Sequence, residues 1–436
     1  MNMYTSIFTS LTLSLLAAVS SALQTGHDPI ISHLNTSLPA AIPPSLDPFY
    51  TAPVGFEYTT PGTILRIRRA PGNFTAVMGS NCSAAYNIVY RTTNSRYLPS
   101  WSVTTLLIPS TPLTNSTVSG LGSALLSYLI PYNSVDVDSS PSYILYSSST
   151  PPYGDQLGSG WFVNVPDFEG PTASNVAGIE EAHAVLDSIR AVLSSDLGLA
   201  IDAQNALWGY SGGSIAAEWA LEFQEQYAPE LKITGAALGG LVCNTTYVFD
   251  TVGNTMWASH GIAGLLGVTS QYPDAYNYIL DHLKPSGPYN KTTFLSIRNM
   301  SYDQGHAAFN GQNMYDYFIN GRDVMQAEPV KRALQLNTIM TYHGVPQTPL
   351  FIYKAIHDEI TPINQTDAYV ERVCGLGVNV LYQRNTRGGH VDELTNGAAR
   401  AMTWLTTVLE GRYASIYSTT GCIVQNVTVG ESNTGL

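Results

Sequence analysis

Apolar and polar positions begin to alternate at about residue 63. Residues 63–68, 84–91 and 101–108 each repeat with period two, the spacing of strands with one buried face. Residues 123–130 form a nearly continuous apolar run, which predicts a strand covered on both faces. A strand is expected at 160–165. From Gly178 to Leu193 the period changes: Ile179, Ala182, Val185, Leu186, Ile189 and Val192 fall at helical spacing. A short strand at 206–208 runs into Gly209-Tyr210-Ser211-Gly212-Gly213 and a helix from about 214 to 225. Further strands are expected at 233–238, 349–356 and 378–382, with a closing helix over 392–409. This alternation predicts an α/β fold, a mostly parallel sheet with helices on its faces. Residues 240–345 differ in character, mixing short helical pieces with aromatic, Met and Gly residues. They are read as an inserted, mainly helical cap, leaving 23–239 and 346–436 as the two parts of the core. Residues 23–60 are Pro-rich and aperiodic, as expected of an arm wrapped on the surface. There is no internal repeat.

The segment upstream changes the cellular picture. An apolar run from Leu11 to Val19 ends in Ser20-Ser21-Ala22, which reads as a signal peptide over residues 1–22. The run is too short to span a bilayer comfortably, and no later segment reaches spanning length. Nine Asn-x-Ser/Thr sequons, at Asn35, Asn73, Asn81, Asn115, Asn244, Asn290, Asn299, Asn364 and Asn426, fit a secreted, extracellular glycoprotein. So does a charged fraction of only 12%. A net charge of −13 with 19 Lys+Arg and no basic cluster excludes a nucleic-acid partner. The four cysteines, Cys82, Cys243, Cys374 and Cys422, predict two disulfides, with all three pairings open. No Cys-x-x-Cys or His-Glu-x-x-His spacing occurs, so no metal is expected.

The chemistry centres on Ser211. Gly-x-Ser-x-Gly alone is a weak signal, and an ordinary strand-to-helix turn would also tolerate these glycines. Its place between an apolar strand and an amphipathic helix makes it a nucleophile elbow, with Ser211 as nucleophile. Gly212 offers a backbone N–H at the positive end of the following helix, where an oxyanion could form. A serine needs a base, and the base an orienting acid, which in such folds follow on loops after later strands. Asp358 lies in His357-Asp358-Glu359 after the strand at 349–356. His390 lies in Gly388-Gly389-His390 just before the last helix. Asp358 is therefore the expected acid and His390 the expected base. Glu359 is read as a solvated loop carboxylate, His357 as a loop or packing histidine, and Asp392 and Glu393 as first-turn helix charges. The other seven histidines are read as structural or surface residues. The loop after the buried run, 128–134, is the candidate for a second oxyanion donor, with the backbone near Asn133 or Ser134 best placed.

These residues resemble the fungal secretory lipases of the lipase A type. The likeness runs in order through Phe49-Tyr50 with Pro53, Tyr90 to Asn94, Ser127-Tyr128 with Pro141 to Tyr143, and Asp167 to Gly170. It continues through Glu180-Glu181, Ala184 to Asp187, Ile189-Arg190, the Gly209–Gly213 motif, Tyr227 to Leu231, Asp358 to Ile360 with Pro362, and Gly389-His390. The resemblance implies an α/β-hydrolase core, a mostly helical cap, and hydrolysis of lipid esters without a cofactor. It puts the nucleophile at Ser211, the acid at Asp358, the base at His390 and one oxyanion donor at Gly212. The family's early-loop aspartate corresponds to Asn133 here. The resemblance also implies a Cys374–Cys422 disulfide, which leaves Cys82 and Cys243 as the second pair. Only 14 residues follow Cys422, fewer than the flap-forming tail of the lipases. The expected activity is that of a secreted serine ester hydrolase, first a triacylglycerol lipase meeting its substrate at a lipid–water interface. The alternative is an esterase or acyltransferase acting on a small or specialised metabolite.

Overall fold

The computed structural model describes residues 39–115, 120–146 and 154–430; the leader read at 1–22 lies outside them. Ten strands among these residues form one sheet, in the order β1-β2-β3-β5-β4-β6-β7-β8-β9-β10. They are β1 (Ile64–Arg69), β2 (Cys82–Thr93), β3 (Pro99–Pro109), β4 (Gly122–Leu129), β5 (Phe162–Pro166), β6 (Leu199–Tyr210), β7 (Ile233–Gly239), β8 (Leu350–Ala355), β9 (Val380–Asn385) and β10 (Cys422–Val427). The β1, β2, β3 and β5 neighbours pair antiparallel. From β5 through β4 to β10 every pairing is parallel. This is the mostly parallel sheet expected from the alternation and the α/β-hydrolase core that the resemblance implies. The apolar run in β4 is buried on both faces, with Ala124, Leu125 and Leu126 all at 0% exposure.

Nine longer helices matter here. On the sheet lie α1 (Gly178–Leu193), α2 (Gly212–Tyr227), α8 (Ile363–Gly375) and α9 (His390–Leu409). Between β7 and β8 come α3 (Thr245–Thr251), α4 (Ala258–Ser270), α5 (Pro273–His282), α6 (Tyr302–Phe309) and α7 (Glu328–Asn337). In this stretch the described residues pair as strands only in two isolated bridges, Asn244 with Ile339 and Leu283 with Phe318. Ile262, Ala263, Leu265 and Leu266 of α4 are all buried in the main apolar core. The described part of the N-terminal arm is pinned along the antiparallel end of the sheet. Asp47 pairs with Arg68 at 2.7 Å, and Trp101 Nε1 donates to the Tyr50 carbonyl at 2.8 Å.

Cys374, in the last turn of α8, is disulfide-bonded to Cys422 at the start of β10. The second expected pairing does not form: Cys82 and Cys243 are both free and buried. Cys82 opens β2 and Cys243 follows β7, with four strands between them. Five strand steps of ~4.8 Å set these positions about 24 Å apart, whereas a disulfide spans at most ~7 Å between Cα atoms. Each thiol is instead spent locally, Cys82 on the Ala84 carbonyl and Cys243 on Thr366 Oγ1.

Candidate active site

The elbow is built by close approach. β6 delivers Tyr210 to the edge of the sheet, and Ser211 turns the chain into α2 with φ 54° and ψ −121°. That strained left-handed conformation, in a residue with a Cβ, is the kind that persists only where surrounding structure enforces it. Ser211 N–H donates to the Gly239 carbonyl at 2.9 Å, tying the turn to β7. A Cβ on Gly213 would run into the Leu129 carbonyl, and one on Gly209 into the Gly213 carbonyl. The helix can therefore start flush against β4 and β6 only with glycine at both places. With its own amide engaged, Ser211 leaves the Gly212 amide as the first free donor of the helix N-terminus.

Ser211 Oγ and His390 Nε2 are 2.8 Å apart, and His390 Nδ1 is 2.7 Å from Asp358 Oδ2. His390 is the first residue of α9, so its backbone sits where helix donors are unpaired. Glu359 Oε2 accepts the His390 N–H at 2.8 Å, and Tyr210 Oη donates to the His390 carbonyl at 2.5 Å. The imidazole is thus fixed at both ring nitrogens and at both ends of its peptide unit. Glu359 is exposed as expected, but it is tied to His390 rather than simply solvated. Asp392 caps the helix by accepting the Gly389 N–H at 3.1 Å. Glu393 differs from the first-turn surface charge expected of it: it is fully buried, bonded by Asn385 and ion-paired with Arg400.

Asp358 stands just past β8. Its Oδ1 accepts from Ile360 N–H at 3.1 Å and Thr361 N–H at 2.7 Å, and its Oδ2 from Thr361 Oγ1 at 2.9 Å. Lys354 Nζ lies 3.0 Å from the same Oδ2, and both side chains are wholly buried. Burial alone would raise the Asp358 carboxyl. The Lys354 ammonium, then His390 and the Thr361 N–H, outweigh it and hold Asp358 well below the usual carboxylate range. Sequence reasoning missed Lys354, although a lone charge inside an otherwise apolar strand was the available signal. It also missed Tyr210, which looked like the variable position of the serine motif.

Asn133 has φ 51°, a left-handed conformation in the loop after β4. Its Oδ1 lies 3.2 Å from where a Cβ on Gly212 would sit, so the early loop and the elbow face one another. Ser134 points the other way, its hydroxyl donating to the Met300 carbonyl at 2.9 Å. A hydroxyl, a neutral imidazole acceptor and a buried carboxylate in series can transfer a proton as the hydroxyl attacks an electrophile. His357 is exposed and is not part of this chain of contacts. Among the described residues no group of His, Cys, Asp and Glu is arranged to hold a metal ion. No helix among them is long and apolar enough to cross a membrane.

Comparison with known proteins converges on one group. The family model described as "Secretory lipase" matches residues 154–415. The trichothecene C-3 esterase of Fusarium sporotrichioides is 47% identical, over 89% of this chain and 88% of that protein. A probable trichothecene esterase of Stachybotrys chartarum is 39% identical, over 89% of this chain and 81% of its own length. Candida antarctica lipase A in its closed state superposes with a TM-score of 0.78 at 28% identity, covering 86% of this chain and 88% of that one.

Proposed function

The chain belongs to the secretory lipase family and is a carboxylic ester hydrolase, and from that premise we propose how it works and on what. Ser211 Oγ attacks the acyl carbonyl while His390 Nε2 takes its proton, with Asp358 stabilising the imidazolium. The tetrahedral oxyanion is received by the Gly212 N–H, with the backbone at Asn133 as second donor. Collapse expels the alkoxide, which takes the proton back from His390. Water, activated by the same base, then releases the acid from Ser211. The observation that carries this reading is the series of 2.8 and 2.7 Å contacts from Ser211 through His390 to Asp358. Helices α3–α7 serve as the cap over the site, and the bond from Ser134 to Met300, which ties them to the early loop, supports that role.

The substrate is an acyl ester of a compact, specialised-metabolite alcohol. The 47% and 39% identities to proteins named as trichothecene esterases support this over a fat. A second reading, triacylglycerol hydrolysis at an interface, is favoured by the family model and by the superposition on lipase A. Export through a leader at residues 1–22 fits the family's secretory name. Two measurements test the proposal. Ser211→Ala should lower kcat by at least about 10⁴-fold with the fold intact. The wild-type enzyme should deacetylate a C-3-acetylated trichothecene faster than it hydrolyses emulsified triolein; the reverse order would replace the first substrate class by the second.

A further inference from the structure

Lys354 occupies a position for which burial needs a reason. It lies in β8, a central strand, at 0% exposure, and a lone ammonium there would be costly unless fully engaged. It is engaged on three sides: by the Leu241 carbonyl at 3.0 Å, by Thr361 Oγ1, and by Asp358 Oδ2 at 3.0 Å. Thr361 Oγ1 in turn donates to the same carboxylate oxygen, closing a ring of Lys354, Thr361 and Asp358. That oxygen is the one that faces His390 Nδ1. Among the described residues no other lysine or arginine is paired with Asp358; Arg400 on α9 is paired with Glu393. Of the remaining titratable neighbours, Cys243 after β7 senses the Lys354 charge, and Glu393 and Tyr210 sense Asp358. Glu359 is bonded to the His390 backbone, and His260 on α4 senses His390.

We propose that Lys354 is a positioning residue for the hydrolytic reaction: its ammonium keeps the Asp358 carboxylate ionised and its Oδ2 turned to His390, so that the proton relay stays competent into acidic conditions. This rests on the relay assigned to Ser211, His390 and Asp358 above. The ammonium offsets the negative charge that faces the imidazole and locks the carboxylate against rotation through Thr361. Without it, Asp358 would face His390 as an uncompensated buried anion, and the pair would take up a proton at higher pH. Lys354 makes no proton transfer of its own and touches no reacting atom.

The test is the pH profile of kcat/KM for Lys354→Met against wild type, measured with a soluble p-nitrophenyl butyrate. KM should stay within about twofold and the plateau kcat fall about tenfold, since an indirect loss costs far less than loss of a relay member. The acidic limb should move to higher pH by about one unit. A folded Lys354→Met whose acidic limb does not move overturns the proposal. Should that variant fail to fold, Thr361→Val removes the bridging hydroxyl without changing charge. It should move the limb the same way by a smaller amount, and an unmoved limb there also overturns the proposal. Fluorophosphonate labelling and Ser211→Ala run alongside. A Ser211→Ala enzyme that still hydrolyses ester removes the relay itself, and the Lys354 role with it. An inactive Ser211→Ala with an unmoved limb removes the Lys354 role alone.

Discussion

At the scale of single residues, the site is a set of side chains held by others that do no chemistry. Tyr210 is the clearest case. It stands between a strained serine and a histidine and spends its hydroxyl on the His390 carbonyl. Tyr210→Phe would remove that hydrogen bond, worth about 0.5–1.5 kcal/mol, and would loosen the start of α9. The expected result is a kcat about tenfold lower with KM unchanged, read from steady-state kinetics on a soluble ester. An unchanged kcat would mean that Glu359 at the backbone N–H suffices to hold the base. Ser211, Asp358 and His390 were legible in the sequence as candidates because each follows a strand in the chain order this fold uses. The supporting residues were not. Tyr210 and Glu359 act through His390, far along the chain, and locally look like a variable motif position and a loop acid, whereas Lys354 acts on Asp358 four residues on and its one local signal is a charge inside an apolar strand.

Among elements, the strongly periodic ones were legible and the irregular ones were not. β6 begins at Leu199, well before the three residues read as strand, because Asp202, Gln204 and Asn205 interrupt its apolar pattern. β10 escaped notice because most of its side chains are exposed at the sheet edge, so burial imposes little pattern on them. Yet β10 has a consequence for the site. It pairs in register with β9, whose last residue, Asn385, leads into the loop carrying His390. The Cys374–Cys422 bond ties the start of β10 to the end of α8 across a sequence separation of 48. Closing a loop of that length removes denatured-state entropy worth about 4 kcal/mol. Replacing both cysteines by serine should therefore lower stability by about 2–4 kcal/mol in a denaturant titration. Replacing the free pair, Cys82 and Cys243, by alanine and serine removes no crosslink and should not reproduce a loss that large. Equal losses from the two double variants would show that the crosslink carries nothing. The expectation of two disulfides failed because even cysteine counts ignore where a ten-stranded sheet sets its strands.

At the scale of the whole molecule, the distribution of acids is what composition could not reveal. The sequence has 32 Asp+Glu and a charge of −13, which suggests a uniformly anionic surface. Many of these acids are inside. On and beside α1, Asp167, Glu169, Glu180, Glu181 and Asp187 are buried, and on α2 so are Glu218 and Glu222. Carboxylates are seldom fully buried, but α1 is packed on nearly every side. Burial pushes Asp167 up to about 7, Glu180 to about 8 and Asp187 to about 6, and raises Glu169, Glu181, Glu218 and Glu222 as well. Each such group is protonated in the fold at pH values where the unfolded chain has released its proton, near 4. Its contribution to stability is therefore fully present below about pH 4 and is lost as pH rises through the folded value. Buried His183 and half-buried His260 are lowered to about 3, His306 and His343 are lowered as well, and all four act oppositely, weakening the fold as pH falls below about 6.5. Asp358, held low, likewise loses its contribution as pH falls below about 4. The raised carboxyls, nine with Asp136 and Glu393, outweigh the four lowered histidines between pH 5 and 6.5, and above 6.5 the histidines no longer count. Thermal melts in matched ionic strength should thus show the highest Tm near pH 5. They should fall steadily toward pH 9, by at least about 1 °C per unit. The paired substitution Glu218→Gln with Glu222→Gln removes two of the buried protons that must be lost, and should flatten the slope without touching hydrolysis. A Tm that rises from pH 5 to 8 would mean that these acids are ionised inside the fold and compensated in some other way.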